Sequence, residues 1–240
     1  MISGIRSLSF FAGYAVITII WGALSLLVAW LMPYRMRFLF IVGAWTRMIL
    51  AWLRLTCGIR CRVEGRENIP EQPCIVLARH ESTWETLFLQ SLFSPQATLI
   101  KRELLWIPFF GWAFALLRPI AIDRSEPRKA LRRLINQGRA RLNSGTWVVM
   151  FPEGTRMPPG QPGKFQAGGA ALAAATEAPV VVVAHNAGSF WPAHEFRKQP
   201  GTITLRIAQA IETAGKSTKQ INDEAALVMA ELAPPSAQQR

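Results

Sequence analysis

The apolar run CIVLA at 74–78 is followed by Arg79-His80-Glu81-Ser82-Thr83-Trp84-Glu85, which sets a carboxylate five positions after a histidine. Five is not a same-face helical spacing, so the two side chains meet only if His80 sits in a loop ahead of the helix that carries Glu85. A carboxylate accepting from Nδ1–H fixes the imidazole tautomer and leaves Nε2 to take a proton from a hydroxyl. General-base catalysis of that kind is worth about a hundred- to ten-thousand-fold in rate. A histidine beside a carboxylate is more often a structural pair, so a second cluster has to decide.

That cluster follows the run TWVVMF at 146–151, which enters Pro152-Glu153-Gly154-Thr155-Arg156 and then MPPGQPGKF, a loop too rich in Pro and Gly for helix or strand. An apolar strand ending in such a turn offers backbone N–H groups, a hydroxyl and a forked guanidinium at one point, which suits an anion. Lys101, Arg102 and Arg124 each end another predicted strand, as His80 does. In an open α/β sheet the strand ends are where ligands bind. Taken singly, Arg102 and Arg124 read equally well as solvated surface charge.

The elements that must position these residues are short apolar runs alternating with segments of helical period. The pattern predicts an α/β domain with a mixed, largely parallel sheet flanked by helices. Strands are predicted at 59–64, 74–79, 97–100, 119–122, 146–151, 179–184 and 202–208, and the clearest helices at 82–92, 126–142 and 167–177. The expected domains are membrane-anchoring helices at 1–56, the α/β domain at 57–232 and a disordered tail at 233–240.

Between Arg6 and Arg35 lie 28 residues without a charge, a span of about 42 Å if helical and long enough to cross a bilayer. The apolar run is too long for a signal peptide and lacks a small-x-small cleavage site. Trp21, Trp30 and Tyr34 could anchor its ends as interfacial aromatics. Arg35, Arg37, Arg47 and Arg54 follow, so the positive-inside bias places the rest of the chain in the cytoplasm. The stretch 36–55 reads as an amphipathic helix in the headgroup layer, separated from the first by Pro33. One spanning helix with an interfacial one, or a two-helix wedge in one leaflet, would both fit.

The charge balance agrees with a membrane surface. Lys plus Arg number 27 against 15 Asp plus Glu, and residues 1–63 hold seven Arg with no Asp, Glu or Lys. Half of the residues are apolar, which excludes disorder as the general state. Nucleic acid is a poor fit, because the basic excess sits partly in a membrane-directed segment and no binding fold is apparent. Cys57, Cys61 and Cys74 are too few for a disulfide scaffold. With His80 they spell C-x3-C-x12-C-x5-H, which fits no common zinc finger, so no metal is expected.

The residues resemble the glycerolipid acyltransferase family, which carries four ordered blocks. N-H-x-x-x-x-D is similar to Arg79-His80 through Glu85, with Arg for Asn and Glu for Asp. G-x-x-F-I-x-R is met loosely by Arg118-Pro119-Ile120-Ala121-Ile122-Asp123-Arg124. F-P-E-G-T-R-S is matched from Phe151 to Arg156, with Met157 for Ser, and V-P-V-x-P-V-A resembles Ala178 to Ala184. Glu85 is one methylene longer than Asp, a shift of about 1.5 Å at the carboxylate unless the backbone compensates.

The resemblance implies direct acyl transfer from a thioester to an alcohol at an inner (cytoplasmic) membrane. His80 would be the base and Glu85 its partner, with Lys101, Arg124, Glu153, Gly154, Thr155 and Arg156 binding substrate. Backbone N–H groups near Gly154 would meet the oxyanion. No G-x-S-x-G nucleophile elbow is present, so no acyl-enzyme is expected. No cofactor is implied beyond acyl-CoA or acyl carrier protein as co-substrate. The acceptor expected is a lysophospholipid, 1-acyl-sn-glycerol 3-phosphate first, with lyso-ornithine lipid, glycerol 3-phosphate or another lysophospholipid as alternatives. A non-catalytic membrane protein that binds anionic lipid is the rival from a different class.

Overall fold

The computed structural model describes residues 2–117, 119–122 and 126–236. Helix α1 (Ile2–Val28) tightens into a 3₁₀ turn at Ala29–Leu31, and Pro33, which cannot continue a helix, separates it from α2 (Tyr34–Phe38). From α2 the chain passes through a π-helical stretch, Leu39–Ala44, into α3 (Trp45–Cys57), which ends at Gly58 in the left-handed region (φ +70°). The segments Ile2–Leu31 and Tyr34–Cys57 are each long and apolar enough to cross a membrane by length and composition.

Polar side chains stitch this helical pair together. Trp21 Nε1 donates to the carbonyls of Phe40 and Ile41 in the π-helical stretch (3.0 and 3.2 Å). Arg37 donates to the carbonyls of Ala29 (3.1 Å) and Met32 (3.0 Å), just past the end of α1, and to that of Leu116 (3.3 Å). The Tyr34 hydroxyl donates to the Leu117 carbonyl (3.3 Å). Of the three aromatics expected at an interface, Trp21 and Tyr34 are therefore ties between segments, because a buried indole N–H or hydroxyl needs an acceptor, while Trp30 stands exposed.

The domain continues with β1 (Ile59–Glu64), β2 (Ile75–Ala78), α4 (Trp84–Leu92), β3 (Gln96–Lys101), α5 (Phe110–Ala115), β4 (Ile120–Ile122) and α6 (Pro127–Asn143). It is completed by β5 (Trp147–Met150), α7 (Gly168–Thr176), β6 (Val180–His185), β7 (Gly201–Ile207) and α8 (Thr218–Leu232). The strands form one seven-stranded sheet in the order β1-β7-β6-β2-β5-β3-β4. Neighbours pair in parallel except β6 with β7, so the fold is α/β with a mixed, mostly parallel sheet.

Strands β2, β5 and β6 are buried on both faces, which is why they read as unbroken apolar runs rather than as alternation. Alternate residues serve two cores. Val76, Val149, Val181 and Val183 face Trp84 and Leu87 of α4, Ile49 and Leu53 of α3 and Phe10 of α1. Leu77, Val148, Val180 and Val182 face Leu134 of α6, Leu172 of α7 and Ile221 and Met229 of α8. Helix α1 thus covers the sheet beside α3 and α4. Its Phe10 ring meets Trp191 edge-on at 5.1 Å.

Candidate active site

Parallel strands put their carboxyl ends on one edge, and the middle of this sheet brings three of them side by side: β6, β2 and β5. His80 lies two residues beyond β2, in the loop before α4. The helix starts there because the Ser82 hydroxyl accepts from the Trp84 N–H (3.1 Å). Glu85, in the first turn, reaches back so that Oε1 accepts from the N–H groups of Glu81 (3.1 Å) and Ser82 (2.9 Å) and from His80 Nδ1–H (2.7 Å). The five-residue spacing therefore works through a loop. Burial alone would push the Glu85 carboxyl up, but the His80 bond, the positive potential of His185 and the Ser82 N–H outweigh it, and Glu85 lies below the usual carboxylate range.

The second cluster grips His80 from the next strand. Beyond β5, Phe151 stacks on the imidazole with centroids 4.1 Å apart and planes 17° from parallel. Glu153 Oε2 accepts from the His80 backbone N–H (2.8 Å), and the His80 carbonyl accepts from the Met157 N–H (2.8 Å). Burial pushes the Glu153 carboxyl up despite the His80 N–H and the nearby Arg79. Arg156 Nε donates to the Ser82 carbonyl (3.1 Å), which sets its guanidinium beside the loop that carries His80. Gly154 adopts φ +72° at the turn, and its N–H donates to the Phe151 carbonyl (3.1 Å). That N–H closes the turn.

Arg79 forms a buried ion pair with Glu81 (2.6 Å). Glu81 also accepts from the N–H groups of Gly160 and Gly188 (3.2 Å each), so one side chain joins the loops after β2, β5 and β6. A Cβ on Gly188 would lie 2.9 Å from that of Glu81, which explains glycine there.

Of the expected site residues, His80, Glu85, Glu153, Gly154 and Arg156 come together through these contacts. Thr155 is exposed on the same loop. Lys101 ends β3, one strand beyond β5, its backbone paired with Ile122 of β4. Arg124 lies outside the described residues, as do Arg118 and Asp123. Sequence reasoning missed Phe151 as a ring partner and His185 altogether. The only signal for His185 was one of three histidines directly after an apolar strand. Cys57, Cys61 and Cys74 are free thiols, and burial pushes Cys61 and Cys74 up to about 12. No cluster of three or more His, Cys, Asp or Glu suited to a metal ion occurs among the described residues.

Comparison with known proteins places the site in a family. The family model described as Acyltransferase matches residues 60–186. A 1-acyl-sn-glycerol-3-phosphate acyltransferase of Pseudomonas aeruginosa is 48% identical over 92% of this chain and 86% of its own length. The corresponding protein of Cocos nucifera is 30% identical over 92% of this chain and 71% of its own. The crystal structure of the 1-acyl-sn-glycerophosphate (LPA) acyltransferase, PlsC, from Thermotoga maritima superposes with a TM-score of 0.79 at 25% identity, covering 95% of this chain and 92% of that one. Since the family model takes in both the His80 loop and the Arg156 loop, and since relatives match across nearly the whole length, this chain belongs to the acyltransferase family.

Proposed function

We propose that this chain moves a fatty acyl group from an acyl thioester to the sn-2 hydroxyl of 1-acyl-sn-glycerol 3-phosphate, giving phosphatidic acid. The observation that carries the reading is the 2.7 Å contact between His80 Nδ1 and a buried, ionised Glu85, with Arg156 tied two residues away at Ser82. The named activity of the Pseudomonas relative supplies the acceptor.

In this mechanism Nε2 of His80 takes the proton of the acceptor hydroxyl while Glu85 stabilises the imidazolium. The hydroxyl oxygen attacks the thioester carbonyl, and collapse of the tetrahedral adduct breaks the C–S bond. The departing thiolate recovers the proton from His80. The terminal nitrogens of Arg156 hold the acceptor phosphate, which keeps the hydroxyl within attack distance. Lys101 and Arg124 complete the acceptor site, and Thr155 lines it. Glu153 and Gly154 act by fixing the loop.

The donor is acyl-CoA or acyl carrier protein, and the setting is the cytoplasmic face of the inner membrane. Residues 1–56 form the anchor, 57–232 the catalytic unit and 233–240 the tail. The Arg-rich sequence after the first apolar helix supports that side. Purified protein given an acyl thioester and a panel of acceptors tests the proposal. Turnover is expected to be fastest with 1-acyl-sn-glycerol 3-phosphate and lost in His80→Ala. Preference for lyso-ornithine lipid or glycerol 3-phosphate would reassign the acceptor, and full turnover by His80→Ala would remove the base.

A further inference from the structure

Glu85 is completely buried, yet its two oxygens are treated unequally. Oε1 takes three donors, while Oε2 has no hydrogen-bond partner among the described residues. The polar atom facing it is Nε2 of His185, at 3.8 Å, and that side chain is also fully buried. His185 is held in one tautomer. Its Nδ1 accepts from the Ala187 N–H (3.2 Å), so the proton sits on Nε2, where it donates to the Arg79 carbonyl (2.9 Å). The ring stands edge-on to Trp84 (centroids 6.1 Å apart) at the end of the central strand β6.

Building on the reading of His80 as base, we propose that His185 is a positioning residue for the His80–Glu85 pair. Its Nε2–H, bonded to the Arg79 carbonyl, presents the positive end of the ring to Oε2 across 3.8 Å, and that attraction biases the second oxygen and so the plane in which Oε1 meets His80. The arrangement is matched to a glutamate. An aspartate at this position would end one bond short, about 1.5 Å, and Oε2 would lose its approach to β6. The longer side chain in this chain's first block and the histidine directly after its fourth therefore work as one unit, which ties β6 to the chemistry at β2. His185 reaches substrate only through Glu85 and takes no proton itself.

The test is a double-mutant cycle on the full-length purified enzyme. His185→Leu is expected to lower kcat about tenfold or more with KM for both substrates within about twofold, because ground-state binding is untouched. In a Glu85→Asp background the same substitution is expected to cost less than about twofold, because the contact it removes is already gone. An unchanged kcat in the native background, or an equal cost in both, overturns the proposal. If His185→Leu does not fold, as read by its melting temperature, two polar variants decide instead. His185→Gln can place an amide nitrogen where Nε2 stood and should retain kcat, whereas His185→Asn is too short and should not. Equal activity of those two also overturns it. A His80→Ala enzyme that still turned over would strike the base assignment itself, an outcome distinct from any of these.

Discussion

The extra methylene of Glu85 is absorbed by where α4 begins. With Ser82 and Thr83 left outside the helix, the longer side chain folds back over the first turn and meets two backbone N–H groups as well as His80. Glu153 does comparable work on the main chain, and its charge is not what the geometry uses. Glu153→Gln keeps an acceptor for the His80 N–H, so most activity should persist, whereas Glu153→Ala should lose on the order of tenfold as the loop loosens. A pH series separates charge from geometry. The native Glu153 carboxyl is raised by burial, so the folded state holds its proton to higher pH than the unfolded chain does, and native stability gains as pH falls. Glu153→Gln should therefore melt at or above the native protein near neutral pH, with the difference closing as pH falls towards the ordinary carboxylate value. A constant gap would show that burial of the charge is not what separates them. His80 and Glu85 were legible in the sequence because they are five residues apart and bounded by an obvious strand and helix. His185 was not, since its partner is Glu85, a hundred residues away, and only the parallel order β6-β2-β5 makes them neighbours.

The elements most legible in the sequence were those whose environment is uniform. β5 and β6 are wholly buried, so every position but the terminal His185 is apolar and the runs stand out. α8 was not singled out although Ser217 and Gln220 form a full capping box, because its apolar positions mix with Lys, Asp and Glu and Leu227 faces outward. Nor could apolar periodicity reveal the π-helical stretch, a local shift of the backbone bonds to i→i+5 whose Phe40 and Ile41 carbonyls accept from Trp21. The joint between α1 and the sheet rests on a buried lysine equally invisible in one dimension. The Lys198 Nζ sits 3.7 Å from the Phe11 ring centroid and 4.9 Å from that of Trp191, donates to the Phe196 carbonyl (2.9 Å), and its backbone N–H donates to Ser7 Oγ (2.9 Å). Burial pushes Lys198 down to about 8. Below that pH both folded and unfolded chains carry the charge, and the folded chain bears its desolvation. Between about 8 and the ordinary lysine value near 10.4 only the unfolded chain stays protonated, so stability should rise with pH. Lys198→Met removes the charge at similar volume. It should melt a few degrees above the native protein at pH 7, with the difference shrinking towards pH 10. A gap that widened with pH would mean that the aromatic rings more than offset the burial of the ammonium.

At the scale of the whole molecule, the face α1 turns away from the sheet decides what surrounds it. Phe10, Tyr14, Ile17 and Trp21 recur at helical spacing and pack on the core. The opposite stripe of Ile5, Leu8, Val16, Ile19, Leu24 and Leu27 is equally apolar and exposed. A helix of a water-soluble protein would carry polar residues there. From Ser7, which bonds Lys198, to Gly22, where a Cβ would come within 3.0 Å of that of Phe109, α1 lies along the domain instead of leading away from it. The segment it meets at Gly22 exposes Leu104, Trp106, Ile107, Phe109 and Trp112. These side chains continue the exposed apolar stripe onto the α/β domain, and with that stripe set in lipid the sheet edge bearing His80 would lie close to the bilayer. Replacing both Trp106 and Trp112 by Ser should leave the protein in the membrane fraction, since α1 and α3 are unchanged. It should lower turnover of substrate presented in bilayers by at least about tenfold relative to substrate in detergent micelles, since withdrawing even one of the two large apolar side chains from lipid is worth about that much. An unaltered bilayer-to-micelle ratio would mean that α1 alone sets how the domain sits on the membrane.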